Sequence, residues 1–169
     1  AYRHLCDNRS GGLTTVLLVA DAGVGKTRLA SEFSAWTAIQ PHGYRLLLAR
    51  GSERRMGLPY GTLHDLLTSQ LSMLDSDPPP QARAQWLAAM TGLLGSGANA
   101  AVLGHLLGLD FSDHEGVSGI VGDARQIRDL GYHYAVEALR TMAPNGPPLV
   151  LILDDLHWVD DGSLDFFGH

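Results

Sequence analysis

The run Ala20-Asp21-Ala22-Gly23-Val24-Gly25-Lys26-Thr27 sits between an apolar segment and a segment of helical periodicity, and this junction constrains the fold more than any other part of the chain. Val16-Leu17-Leu18-Val19-Ala20 is short, apolar and β-branched, and reads as a fully buried strand of a parallel sheet. Beyond Thr27, Leu29, Phe33, Trp36 and Ile39 fall on one helical face. A glycine-rich loop between a strand and a helix is the setting of the phosphate-binding pattern G-x-x-x-x-G-K-[ST]. Gly23 and Gly25 have no Cβ, so backbone N–H groups can turn inward toward phosphate oxygens. The positive end of the following helix adds to the same field. The candidate cradle is therefore Ala22, Gly23, Val24, Gly25, Lys26, Thr27 and Arg28. Lys26 is the only lysine in the chain, every other basic side chain being arginine, which marks it for chemistry. Its ammonium is expected to reach the β- and γ-phosphates, and the Thr27 hydroxyl to face Mg2+. Ala20 stands where the pattern has its first glycine, at the strand end, where a small side chain is tolerated.

Pro148-Leu149-Val150-Leu151-Ile152-Leu153 is a second buried-strand run, and it delivers Asp154-Asp155 at its C-terminal edge. Ligands of open α/β sheets bind beyond that edge. Two acidic residues after a strand commonly cap a helix or make a turn. Together with the Lys26 loop they read instead as a Walker B pair. Asp154 would hold Mg2+, and Asp155 stands where many ATPases carry a glutamate that orients the attacking water. Lys26 and Asp155 are thus the candidate catalytic residues, and Thr27 and Asp154 the candidate metal residues.

The segment Leu153-Asp154-Asp155-Leu156-His157-Trp158-Val159-Asp160-Asp161-Gly162-Ser163-Leu164 resembles one found in STAND-class AAA-like P-loop ATPases. These are the nucleotide-binding modules of large LuxR-type (LAL, MalT-like) transcriptional regulators and of multidomain adenylate cyclases. Ala22–Leu29 resembles the loop of the same family, and Leu58-Pro59-Tyr60-Gly61-Thr62-Leu63 a middle segment. The resemblance implies an α/β fold, a parallel P-loop NTPase sheet flanked by helices, with ATP and Mg2+ as cofactors. It implies a regulatory switch in which Mg-ATP binding favours one conformation and slow hydrolysis resets it. The alternative is a nucleotide-binding structural or interaction module with negligible hydrolysis, which Ala20 and Asp155 leave open. DNA binding in such regulators belongs to a separate domain. The sheet order of the family places a further strand between the loop strand and the Walker B strand, and that strand follows Walker B in sequence. Without it, Val16–Ala20 is expected either to collapse against the Leu149 strand or to leave a gap with exposed edges, which favours self-association.

Other readings narrow the class. Guanine recognition through Asn-Lys-x-Asp would need a second lysine, so ATP is favoured over GTP. Ser10-Gly11-Gly12 precedes the loop, unlike the signature of ABC ATPases. A net charge of −6 gives no basic footprint for nucleic acid. The single cysteine, Cys6, excludes an internal disulfide and fits a reducing cytoplasm, and no run is long enough to span a membrane. The eight histidines show no metal spacing; His105, Asp110, His114 and Glu115 come nearest to a cluster, and scattered histidines are the better reading.

Along the chain, residues 13–58 are read as loop strand, helix and second strand, 59–122 as a helical insertion, and 123–169 as a helix, the Walker B strand and the start of another helix. Tyr44–Ala49 is the second strand, after a turn at Pro41-His42-Gly43, and Arg50–Gly57 a loop whose arginines could face phosphate or a partner, a solvated loop being the better reading. Helices are expected over Tyr60–Leu74, Gln81–Leu94, Ala98–Leu109 and Asp123–Met142, with an exposed loop over Asp110–Gly122. Asp75–Pro80 and Ala143–Pro148 are breaks. His157 and Trp158 recur in the pattern of the family resembled, and their alternative is packing beneath the site; Ser163 is the candidate cap of the last helix. A start at Ala1 without methionine and an end at Gly168-His169 read as a piece of a longer protein, whose other domains would be its partners.

Overall fold

The structure is a computed structural model describing residues 16–40, 44–55, 57–71, 73, 76–142 and 149–169. In chain order the elements are α1 (Lys26–Ala38), β1 (Arg45–Arg50), α2 (Gly61–Gln70), α3 (Pro79–Leu94), α4 (Gly97–Leu106), α5 (Glu115–Ser118), α6 (Ala124–Thr141), β2 (Leu149–Asp154), a 3-10 turn (Leu156–Trp158) and α7 (Asp161–Gly168). β1 and β2 pair in parallel, from Arg45 opposite Leu149 to Arg50 opposite Asp154. The strands therefore end level. One face of β1 presents Leu47 and Ala49 to the core, while Leu48 on the other face is exposed. That alternation follows from the two-residue period of a strand.

Helices supply most of the core. Leu63, Leu66 and Leu67 of α2, Trp86 and Met90 of α3, Ala100, Ala101 and Leu103 of α4, and Ala135 and Ala138 of α6 are all buried in one cluster with β1. Small residues set the helix spacing. A Cβ on Gly104 would lie 2.6 Å from both Phe111 and Trp86 side-chain atoms, so α4 can approach those rings only through glycine. The Trp86 indole N–H donates to the Ala100 carbonyl at 2.8 Å, which satisfies the one polar atom of a fully buried ring.

Five expectations require correction. Val16–Ala20 is not a strand: it forms no ladder, and Val16, Leu17, Leu18 and Val19 are 54–83% exposed. An apolar run becomes a strand only when a neighbour takes its backbone groups. The sole pairing partner of β2 among the described residues is β1, so of the two expected outcomes the gap with exposed apolar residues is the one observed. Nor is Asp110–Gly122 simply an exposed loop, since it contains α5 and buries Phe111 and Val117 under α3 and α4. The Arg50–Gly57 loop is narrower and less free than expected: Arg50 closes β1 and Arg55 pairs with Asp65 at 2.9 Å, while Glu53, Arg54 and Gly57 are exposed. Helix α2 ends at Gln70 and α4 at Leu106, earlier than their apolar stripes indicate. The cap of α7 is Asp160, whose side chain accepts from the Ser163 N–H. The expected turn at Pro41-His42-Gly43, the break at Ala143–Pro148, and Met56, Leu74, Asp75 and Cys6 lie outside the described residues.

Asp160 does more than cap α7. It is 3% exposed. Its Oδ1 accepts from the N–H groups of Tyr60 (2.7 Å) and Ser163 (2.9 Å), and its Oδ2 accepts from that of Thr62 (3.0 Å). Ser163 Oγ in turn accepts from the Leu63 N–H at 3.0 Å. One buried carboxylate therefore satisfies orphan donors at the starts of two helices, α2 and α7. Burial pushes its pKa up, but the Thr62, Ser163 and Tyr60 hydrogen bonds outweigh that and hold it below the usual carboxylate range. A depressed folded-state pKa stabilises the fold above the unfolded value and is lost as pH falls through the folded value. Asp160→Ala should cost about 2–4 kcal/mol at neutral pH, read by chemical denaturation. Asp160→Asn should flatten the dependence of stability on pH on the acid side of about pH 4.

Candidate functional site

Gly23 (φ 82°) and Gly25 (φ 96°) both take left-handed backbone, and neither would place a Cβ within 4 Å of another group. Conformation, then, and not crowding, calls for glycine in this turn. Gly25 leads directly into α1, where the Leu29 N–H donates back to the Gly25 carbonyl at 2.9 Å. No cap-residue side chain serves this helix, and its first turn holds no acidic residue. The other helix starts are closed: Ser96, His114, Asp123 and Asp160 cap α4, α5, α6 and α7. Asp160 and Ser163 serve α2, and α3 opens with Pro79 and Pro80, which have no N–H. The N–H groups opening α1, at Lys26, Thr27 and Arg28, are thus left facing outward at the positive end of the helix, ready for an anion.

Lys26 curls back over the loop. Its Nζ donates to the carbonyls of Ala20 (2.7 Å) and Asp21 (2.8 Å), and its third N–H has no partner among the described residues. The ammonium is thus held on the two carbonyls that precede the cradle, with a donor to spare. Ala22 lies in the turn and Val24 is exposed at the loop tip. The Arg28 side chain projects from α1 toward Glu32, with 3.9 Å between them, so only its backbone belongs to the cradle.

Thr27 joins the two halves of the site. Its hydroxyl donates to Asp154 Oδ2 at 2.9 Å across 127 positions of sequence. Asp154 Oδ1 accepts the N–H of Asp155 at 3.0 Å, which fixes the carboxylate plane. The structure therefore brings Thr27 to the Asp154-Asp155 pair at the end of β2, while the Lys26 ammonium rests on carbonyls of its own loop. Asp155 adopts a left-handed conformation, φ 53° and ψ 48°, which a residue with a side chain takes at a cost. That turn directs the chain into Leu156–Trp158, packed on Gly51, where a Cβ would lie 2.4 Å from the Asp155 carbonyl oxygen. His157 and Trp158 contact each other with ring centroids 5.0 Å apart; His157 is exposed, and neither ring enters the core.

Sequence reasoning missed Arg50. Its Nη2 donates to Asp154 Oδ2 at 2.8 Å, and its Nε lies 3.4 Å from Asp155 Oδ2. The Arg50 hydrogen bond is the largest influence on Asp154; with Thr27 and the Asp155 N–H it outweighs burial and holds this carboxyl below its ordinary range. Arg50 is raised in turn, chiefly by its bond to Asp154. A signal was present. Both apolar strands end on a charge, Arg50 on one and Asp154 on the other, and level parallel pairing sets them side by side.

The residues fit a nucleotide and its cation. The loop offers anion-binding N–H groups, and Thr27 and Asp154 offer adjacent oxygens. No group of three or more His, Cys, Asp or Glu side chains capable of holding a metal occurs among the described residues. A cation at Thr27 and Asp154 would accordingly draw its other ligands from water and phosphate, as Mg2+ does. His105 and His114 are used structurally: the His105 Nδ1 accepts from Phe111 N–H at 3.4 Å and the His114 Nδ1 from Gly116 N–H at 3.1 Å.

The AAA ATPase domain family matches residues 2–169. The chain belongs to that family. Membership makes it a P-loop module of a family associated with ATP and Mg2+, built here on a small parallel sheet with helices. An uncharacterized protein of Rhizobium meliloti (strain 1021) is 28% identical over 166 residues; the match covers 94% of this chain and about 15% of that relative. No solved structure matches the chain significantly. Among the described residues no helix is long and apolar enough to cross a membrane.

Gly51→Ala should disturb the site without touching a candidate ligand. The added methyl meets backbone of Asp155, Trp158 and Val159, so the variant should lose about 1–3 kcal/mol of stability. It should also change Trp158 fluorescence, whereas an unchanged melt and spectrum would show that this turn yields freely.

Proposed function

We propose that this chain binds Mg-ATP and acts as the nucleotide-operated switch of a larger STAND-class signalling or LuxR-type regulatory protein, with slow hydrolysis as the reset. The Thr27–Asp154 hydrogen bond is the observation that carries the reading, because it unites the phosphate loop with the Walker B strand at one point. In this reading bound Mg-ATP supplies the phosphoanhydride and the divalent charge. The N–H groups of Gly23–Arg28 orient the phosphates, and the third Lys26 donor turns onto a phosphate oxygen while the other two keep the loop closed. Thr27 and Asp154 face the cation. Asp155, once released from Arg50, accepts a proton from, or orients, the attacking water. A share of about 15% of the Rhizobium relative suits a module within a longer chain, whose other domains would read its state. The site sits at the ends of β1 and β2, so a change there can pass to α2 and α7 through Asp160.

A second reading has its own support. Arg50 lies against Asp155, and a carboxylate engaged by a guanidinium is a poor base, so the module could bind nucleotide while scarcely hydrolysing it.

Thermal melts with and without Mg-ATP test the shared part. Nucleotide at a hundred times its Kd adds roughly 2.7 kcal/mol to the native state and should raise Tm by several degrees. Lys26→Ala should abolish the rise, and a rise that survives this change would refute the assignment of Lys26. Steady-state phosphate release decides the rest. Turnover lost in both Lys26→Ala and Asp155→Asn supports the switch with hydrolysis, while turnover at the buffer level beside an intact thermal shift supports the binding module.

A further inference from the structure

We propose that Arg50 is a built-in counter-ion that fills the cation position of this site and must withdraw before a divalent cation can be held between Thr27 and Asp154. The inference rests on the nucleotide-site reading and adds a regulatory step to it. Its basis is that two donors converge on one oxygen. Asp154 Oδ2 accepts from Thr27 Oγ1 at 2.9 Å and from Arg50 Nη2 at 2.8 Å, so the guanidinium takes up bonding capacity of the same oxygen that would face a cation. The same guanidinium reaches Asp155 Oδ2 at 3.4 Å, and a planar fork suits two neighbouring carboxylates.

Accessibility differs between the partners. The Asp154 side chain is only 13% exposed, whereas that of Arg50 is 55% exposed. Asp154 cannot turn away to release the pair, but Arg50 can swing into solvent about its own side-chain bonds. The backbone holds both in place: Arg50 and Asp154 are register partners, and the Gly51 N–H donates to the Asp154 carbonyl at 3.0 Å. Exchange of the guanidinium for a divalent cation keeps the carboxylates compensated throughout. It also frees the Asp155 carboxylate, so cation entry and exposure of the candidate base become one event. Cation affinity is lowered by the work of breaking a charge-assisted pair, and the site stays shut at low divalent cation.

Mn2+ alone, without nucleotide, is the probe, with free Mn2+ followed by electron paramagnetic resonance. Arg50→Gln should bind Mn2+ roughly tenfold more tightly than the unaltered chain, the size expected from removing one charge-assisted hydrogen bond. Arg50→Lys, which keeps the charge but loses the fork, should fall between them. Adding Asp154→Asn to Arg50→Gln should erase the gain. Equal or weaker Mn2+ binding by a folded Arg50→Gln chain would overturn the proposal. A second measurement needs no variant: arginine-directed dicarbonyl labelling, read residue by residue by mass spectrometry. Saturating Mn2+ should speed labelling of Arg50 several-fold while leaving Arg54 unchanged, and an unchanged Arg50 rate would also overturn the proposal. Neither readout uses nucleotide, so a chain that gains Mn2+ affinity yet shows no Mg-ATP shift would count against the nucleotide reading and leave the counter-ion in place.

Discussion

A single oxygen, Asp154 Oδ2, receives the Thr27 hydroxyl at 2.9 Å and the Arg50 guanidinium at 2.8 Å. Thr27 opens the helix after the glycine turn, Arg50 ends β1, and Asp154 ends β2. Three segments that are remote in sequence are thereby fixed to one another at a polar, partly buried point. Apolar packing could not do this alone, because α1 and the residues before it contribute little to the core. The glycine turn is anchored to the sheet by this carboxylate and by the fold of Lys26 onto the carbonyls of Ala20 and Asp21.

The second organising carboxylate, Asp160, works in a different medium. It is buried and faces three backbone N–H groups. Its partners are the unsatisfied donors that every helix start carries. Asp154 and Asp160 lie six positions apart on either side of one tight turn, so the segment after β2 carries a site residue at one end and a structural clamp at the other. Gly51 lets that turn lie on the end of β1, and Asp155 takes left-handed backbone to make it. A change in the electrostatics at Asp154 has only a short, stiff path to the starts of α2 and α7.

The glycine-rich loop, its lysine and threonine, and the acidic pair after β2 were legible because each is a local pattern whose chemistry depends on neighbouring residues. The helices were legible for the same reason, their apolar spacing being read within a few turns. Boundaries at Leu71 and Leu107 were less so, because helices end where backbone donors and acceptors find other partners, and those partners are tertiary. The sequence Asp160-Asp161-Gly162-Ser163 carried a cap signal that pointed to the correct helix through the wrong residue: the donor at Ser163 answers to Asp160, three positions earlier.

Residue identity by itself determined that this chain has a glycine-rich turn leading into a helix, an acidic strand end, and a mainly helical middle. These follow from glycine's access to positive φ, from the period of apolar residues, and from the scarcity of lysine. Only the tertiary structure decided that Arg50 faces Asp154, because that contact depends on parallel register and a one-residue slip would turn one of the two side chains to the opposite face. It also decided that Val16–Ala20 stands outside the sheet. Apolar composition supplies the tendency to form a strand, but the strand itself exists only where another backbone offers its hydrogen bonds.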